Sequence, residues 1–304
     1  MWRRVRPNYP YAINKLGRTI MTNDNEARLA NRVALVTGAG SGMGRVMARS
    51  LAAAGAHVAA VDINVDTLED LGEDSVFAGT LVETVADVSR AEDCHRAVDI
   101  AVGAFGTLDI LINCAGVSMA VAAPDKTSGR VRFQDTIPDG WQRVLAINCA
   151  GAFLMARFAV EPMISKGWGR IINVTTSYDT MLADGLCAYG ASKAALEAST
   201  VSWAKDLAGT GVTVNVLVPG GPVETPGFFP PGQPRPPRML QADVMAAPVT
   251  WLASPASDGI TGCRFIARDW DARLPAAQAA DKCRAPAGWP DLAAAAQKAR
   301  GVPI

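Results

Sequence analysis

Two residues four positions apart open the chemical reading of this chain. Tyr189 and Lys193 stand in YGASK at the start of a strongly helical segment, so their side chains share one helix face. A phenol with an ordinary pKa of about 10 is a poor base at neutral pH, and a neighbouring ammonium favours the phenolate. Each tenfold change in that equilibrium is worth about 1.4 kcal/mol, so Lys193 needs to supply only a few kcal/mol to make Tyr189 a useful general base. The same ammonium can hold a ribose. A YxxxK pair alone occurs by chance in many helices; its weight here comes from what precedes it.

Thr37 to Gly44 reads TGAGSGMG, directly after a β-rich apolar run and directly before a helical segment. Gly38, Gly40, Gly42 and Gly44 permit a tight turn and leave amides pointing at a phosphate from a positive helix terminus. Ser41 and Met43 lie in the same turn. Met43 breaks the GxGxxG spacing, and no Lys-Ser/Thr follows to make a triphosphate loop. Asp62 ends the next apolar run, where a carboxylate can accept from both ribose hydroxyls and would repel a 2′-phosphate. NAD is therefore expected over NADP, in keeping with a turn that has no Arg or Lys before Arg45. Asp87, in ADVS, either meets the adenine amino group or caps a helix.

The elements that must hold these residues follow from the rhythm of the chain. Seven strands are expected at 33–37, 57–62, 82–88, 108–116, 169–176, 212–220 and 263–267, with helices at 44–54, 91–105, 140–165, 189–208 and 242–253. Continuously apolar strands alternating with helices predict an α/β fold, a doubly wound, seven-stranded parallel sheet covered on both faces. One domain is expected over 31–268, after an N-terminal extension over 1–30. Eight of the twenty residues from Pro219 to Arg238 are proline, which predicts a surface loop over about 221–241 carrying Phe228 and Phe229. The Ala- and Pro-rich tail, 269–304, is expected to lie over its own or a neighbouring subunit.

Composition narrows the function. The 304 residues carry 29 basic and 29 acidic side chains, so no basic footprint exists for nucleic acid or an anionic membrane. The apolar stretches are broken before the roughly 20 residues of a membrane span. The first 30 residues have no apolar signal core, although a mitochondrial-type presequence is an alternative to a loose arm. Six scattered cysteines form no CxxC pair and are read as reduced thiols of a cytoplasmic protein. His57 and His95, the only histidines, belong to no metal-spaced cluster and sit by no nucleophile, which argues against a zinc dehydrogenase and a Ser-His-Asp hydrolase. No metal is expected.

Taken in order, TGAGSGMG, ADV, NCAG (Asn113 to Gly116), INCAG with Asn148, NVTTS, YGASK and PGGPVET (Pro219 to Thr225) resemble the motifs of the classical short-chain dehydrogenase/reductase family, over roughly Arg32 to Ala267. The resemblance implies a Rossmann-like fold and gives Tyr189 the general acid/base role. It makes Lys193 the pKa modulator and ribose ligand, and Asn148 the holder of a water that links Lys193 to solvent. It sets Asn113, Ala115 and Gly116 on the adenine-ribose side and Val223 and Thr225 at the nicotinamide carboxamide, within a cofactor set that includes Val88, Pro219 and Gly220. The family's substrate-orienting serine falls at Thr176 by spacing, with Ser177 one residue on; either hydroxyl can serve, and Ser177 is slightly preferred because TTSYDT can place it by a one-residue shift. NCAG replaces the usual NNAG, PGGPVET carries an extra glycine, and ARDWD (Ala267 to Asp271) replaces the usual DGG.

The resulting expectation is an NAD-dependent alcohol dehydrogenase or ketoreductase acting on a secondary alcohol or ketone, a homotetramer or dimer paired through 140–165 and 189–208. Val117, Ser118, Met119, Tyr178, Met181, Leu182, Phe228 and Phe229 form an apolar substrate-lining set, and Trp270 and Trp289 mark a tail that reaches a partner's site. The alternatives are an epimerase or dehydratase of extended relatives, whose turn and substrate domain differ, and a non-catalytic NAD-binding protein.

Overall fold

The computed structural model describes residues 29–77, 80–123, 130–226 and 238–300. The expected N-terminal arm, and Phe228 and Phe229 of the proline-rich loop, lie outside them. Among the described residues, eight strands form one sheet in the order β3-β2-β1-β4-β5-β6-β7-β8. They are β1 (Val33–Thr37), β2 (His57–Asp62), β3 (Leu81–Val85), β4 (Ile110–Asn113), β5 (Gly169–Val174), β6 (Val212–Val218), β7 (Cys263–Ile266) and β8 (Arg284–Pro286). β1 to β7 pair in parallel, so the doubly wound sheet stands as expected. The strand count is corrected from seven to eight, because β8 folds back from the tail and pairs antiparallel with β7.

The central strands β1, β4, β5 and β6 are buried at every position. Alternate side chains therefore feed two cores. On one face Ala34, Val36, Ile110, Ile112, Ile172 and Leu217 meet Met47 and Leu51 of α1 (Gly42–Ala53) and Val249 and Leu252 of α8 (Ala246–Leu252). On the other, Val33, Leu35, Leu111, Ile171 and Val214 meet Ala97, Val98 and Ala101 of α3 (Ala91–Phe105) and Met155, Ala159 and Met163 of α5 (Gly151–Lys166). Fully burying each large aliphatic side chain stabilises the fold by about 1.5–3 kcal/mol.

The helix expected at 140–165 is composite. α4 (Pro138–Leu145) passes through a π-turn (Ala146–Ala150) into α5, and Asn148 sits in that turn. The run Pro138–Lys166 is long and apolar enough to cross a membrane, which the broken apolar stretches had not suggested. Here one of its faces packs on α3 and the sheet, as a core helix does. α2 (Val65–Gly72) follows β2, and the short α6 (Tyr178–Met181) leads into α7 (Cys187–Asp206). The tail adds α9 (Ala276–Cys283) and α10 (Pro290–Arg300). Ala280 and Cys283 join the chain's own core, so that part of the tail docks on its own subunit.

At the opposite end of the sheet from the site, buried Asp109 accepts from the Val33 amide at 3.0 Å and pairs with Arg32 and Lys166. The guanidiniums of Arg32 and Arg170 lie 3.7 and 4.1 Å from the Trp168 ring centre on that end.

Candidate active site

The predicted chemistry gathers at the carboxyl ends of β1, β4, β5 and β6, where an open parallel sheet leaves a crevice for a ligand. Thr37, the last residue of β1, accepts from the amides of Cys114 and Ala115 at 3.0 and 3.1 Å through its hydroxyl. That bond ties the loop after β4 to the glycine turn. Ser41 stands at the N-cap of α1 without a side-chain cap bond, and the first turn of α1 carries no acid. The first amides of the helix are thus left for an anion.

Gly42 opens α1 at φ +50, a left-handed conformation that a side chain rarely adopts. A Cβ there would overlap the Thr225 Cγ2 methyl and lie 3.3 Å from Thr225 Cβ and Oγ1. The turn and the loop after β6 therefore meet face to face. Met43 packs against the core, and Val88 seats on Gly151. Pro219 accepts from the Arg268 amide at 3.1 Å, Gly220 lies against Arg268, and buried Val223 bridges Leu240.

Asp62 ends β2 beside the turn, where Oδ2 accepts from the Gly40 amide at 2.9 Å and Oδ1 from the Asn64 amide at 3.1 Å. Asp87 is engaged by its own surroundings. It accepts from the Ser89 amide and hydroxyl at 2.9 and 2.6 Å and from Arg143 at 2.7 Å. Although burial opposes them, these donors hold its carboxyl below the ordinary value. Asn113 differs from the expectation of a groove-lining residue. It is 3% exposed and turns inward, donating to Asn173 at 2.9 Å and to the Ala152 carbonyl at 3.2 Å.

The catalytic candidates converge. Gly116 lies where a Cβ would be 3.3 Å from Asn148 Oδ1 and 3.5 Å from Lys193 Nζ. Asn148 is clamped: Oδ1 accepts from the Val117 amide at 2.7 Å, and Nδ2 donates to the Val117 carbonyl at 3.0 Å and to Ser192 Oγ at 3.1 Å. The π-turn re-aims this side chain out of the helical register, a distortion that recurs at functional sites. Lys193 is buried and donates to the Val174 carbonyl at 2.9 Å. Burial brings its ammonium down to about 8, against the opposing pull of the Cys114 and Cys149 thiols.

Thr176 and Ser177 separate cleanly. The Thr176 hydroxyl hydrogen-bonds Tyr189, whereas Ser177 stands at the N-cap position of α6 without a side-chain cap bond and lies 2.8 Å from Thr180 Oγ1. Tyr189 itself departs from the simple expectation. Burial pushes its phenol up to about 12, with the Thr176 bond pulling the other way and Lys193 held by a backbone carbonyl instead. Tyr178, expected at the substrate, instead lies 2.6 Å from the Gly288 carbonyl through its hydroxyl.

Two residues that no motif marks bear on the site. Glu197 and Arg264 form a buried ion pair at 2.8 Å, 0% and 4% exposed at their side chains. In a sequence, each reads as an ordinary surface charge; only their position on the inward face of α7 and in β7 distinguishes them.

Residues 32–228 match the family described as short chain dehydrogenase. A short-chain type dehydrogenase/reductase of Picea abies is 37% identical over 209 residues, 66% of this chain and 74% of that protein. The D-threitol dehydrogenase of Mycolicibacterium smegmatis is 33% identical over 257 residues, 80% of this chain and 94% of the relative. A solved structure from Beutenbergia cavernae, assigned as an NAD(P)-dependent gluconate 5-dehydrogenase with NADP at low occupancy, has 29% identity and a TM-score of 0.67, covering 79% of this chain and 96% of its own length. The matched stretch runs from β1 past Thr225 and so contains the glycine turn, Asn148, Thr176, Tyr189 and Lys193 together: the chain belongs to the short-chain dehydrogenase family of nicotinamide-dependent oxidoreductases.

Proposed function

We propose that the chain interconverts a secondary alcohol and a ketone with NAD(H), using Tyr189 as the general acid/base. The observation that carries this reading is the convergence of Thr176, Tyr189, Lys193 and Asn148 beside Gly116 at the carboxyl edge of the sheet.

The residues present fit the cofactor. The glycine turn offers uncapped amides to a pyrophosphate, and a Cβ at Gly42 would fill the cradle against Thr225. Asp62 supports NAD over NADP, since a carboxylate stands where a 2′-phosphate would come close. When bound, the nicotinamide supplies the acceptor or donor of hydride. Lys193 would hold the nicotinamide ribose, and Thr225 and Val223 the carboxamide. Thr176 orients the substrate oxygen, and Tyr189 gives that oxygen a proton in reduction or takes it in oxidation. A phenol at about 12 holds its proton at neutral pH, so in this state Tyr189 is poised as an acid toward a carbonyl.

The apolar character of segments 117–119 and 181–182, in which Met119 and Met181 are buried and Leu182 is 83% exposed, supports a moderately apolar or ring-bearing substrate. A preference for polyanionic substrates in a turnover screen would overturn that class. The six free thiols support a cytoplasmic setting. Half-exposed Phe153 of α5 and partly buried Trp203 of α7, with ring centres 6.3 Å apart, lie together across the two helices, which supports a homotetramer or dimer. A monomer in light scattering would refute it. The central test is Tyr189→Phe. Turnover is expected to vanish with NADH affinity nearly unchanged, and full activity in the variant would remove Tyr189 from the mechanism.

A further inference from the structure

Glu197 lies on α7 one turn beyond Lys193 and two beyond Tyr189, with no exposed surface. Its carboxylate is shared among distant parts of the chain. Oε2 accepts from Arg264 Nη1 and from the Thr175 hydroxyl, each at 2.8 Å. Oε1 accepts from the Gly288 amide at 3.2 Å and lies 3.2 Å from the Tyr178 hydroxyl, which is 2.6 Å from the Gly288 carbonyl. Arg264 completes the arrangement, as Nη2 donates to the Thr176 carbonyl at 2.8 Å and its guanidinium lies 4.0 Å from the Tyr178 ring centre. Thr175 by its hydroxyl, Thr176 by its carbonyl and Tyr178 by its ring and hydroxyl are thus all held by one buried ion pair.

The middle residue of that segment carries the hydroxyl bonded to Tyr189. Its backbone and its side chain are therefore referred to the same helix by two independent routes. The close approach of α6 to α7 depends on Gly190, where a Cβ would overlap the Met181 carbonyl oxygen. The second route also passes through the tail, because Gly288 contributes both its amide and its carbonyl, and Trp289 packs beside Tyr178 with ring centres 6.0 Å apart.

We propose that Glu197 and Arg264 are positioning residues that set the Thr176 hydroxyl against Tyr189, and that residues Gly288 and Trp289 of the tail belong to the same clamp. This rests on the reading of Tyr189 and Thr176 given above. A hydroxyl displaced by a fraction of an ångström still leaves cofactor and substrate bound, but no longer aligned for proton transfer. The clamp therefore acts on turnover rather than on affinity.

The experiment compares Glu197→Gln, Thr176→Val, their double variant and a chain ending at Ala287, each checked by NADH titration. In Glu197→Gln, kcat is expected to fall about tenfold or more while the substrate KM and the NADH Kd change less than about threefold. Loss of the Thr176 donor disfavours the phenolate, so the rise of the oxidation rate with pH moves to higher pH in both single variants. Adding Glu197→Gln to Thr176→Val is expected to cost nothing further in kcat, because the two act through one bond. The chain ending at Ala287 keeps β8 and is expected to lower kcat in the same direction. Multiplicative losses in the double variant, or an unchanged kcat in both Glu197→Gln and the shortened chain, would overturn the proposal. Should Glu197→Gln fail to fold, the shortened chain and its combination with Thr176→Val decide by the same criterion. Activity retained by Tyr189→Phe would instead strike the underlying reading, so the two failures are told apart.

Discussion

Replacing Gly42 by alanine tests how the cofactor groove is built. The backbone sits at φ +50, where a β-carbon costs about 1–2 kcal/mol. The new methyl would also overlap Thr225 Cγ2 and press on Thr225 Cβ and Oγ1 at 3.3 Å, where carbon contacts are comfortable at about 3.5–4.0 Å. Rotating the Thr225 side chain brings its other γ-substituent toward the same space, so with both Oγ1 and Cγ2 present the loop after β6 must retreat, whereas the 3.3 Å contact to Cβ asks for only a few tenths of an ångström. Gly42→Ala should therefore lose about 1–2 kcal/mol of stability and bind NADH about tenfold more weakly, equal to about 1.4 kcal/mol. Adding Thr225→Ser removes Cγ2 and keeps the hydroxyl. The double variant should recover most of the NADH affinity, measured by fluorescence titration, while its melting temperature stays low because the backbone strain remains. Equal NADH affinities in the single and double variants would refute the steric contact between the turn and Thr225.

Other outcomes follow from the same geometry. With the Tyr189 phenol pushed up to about 12, alcohol oxidation should keep climbing between about pH 7 and 10 while ketone reduction does not; an oxidation rate flat across that window would contradict the desolvated phenol. Asp62→Ser should shift the ratio of NADH to NADPH affinity about tenfold toward NADPH in parallel titrations, and an unchanged ratio would free Asp62 of that role. Asp109→Ala leaves the Val33 amide, Arg32 and Lys166 without their shared acceptor, and should cost about 2–3 kcal/mol in urea denaturation, discounted because the two cations are partly exposed; a loss below about 0.5 kcal/mol would show the cluster to be decorative.

The parts of this fold that were legible in the sequence are those encoded by continuous apolar runs. β1 and β2 lie where VALVT and HVAAVD place them, and β5 and β6 start where GRIINVTT and VTVNVLVPG place them but end two residues earlier, at Val174 and Val218, because strands covered on both faces are apolar throughout. β8 was not legible. Arg284, Ala285 and Pro286 carry no strand pattern, and all three are exposed; their pairing comes from the docking of α9 against the core. The π-turn at Asn148 likewise leaves no trace, since one extra residue in a helical turn does not change an apolar composition. Of the two adjacent hydroxyls, spacing favours Thr176 and a one-residue shift in TTSYDT favours Ser177; what separates them is the start of α6, where Ser177 lies 2.8 Å from Thr180 Oγ1. Glu197 and Arg264 stayed hidden because burial of a charge depends on a partner that is distant in the chain.

The antiparallel β8 also bears on how the molecule behaves toward other molecules. A sheet ending at β7 would present a row of unsatisfied amides and carbonyls, a template for a strand from another chain. β8 covers that row along Cys263, Arg264 and Phe265, and it is only three residues long and ends in Pro286, which has no amide to donate. The tail thereby acts as a stop for sheet growth, guarding the molecule against edge-to-edge aggregation at the margin nearest its C-terminus.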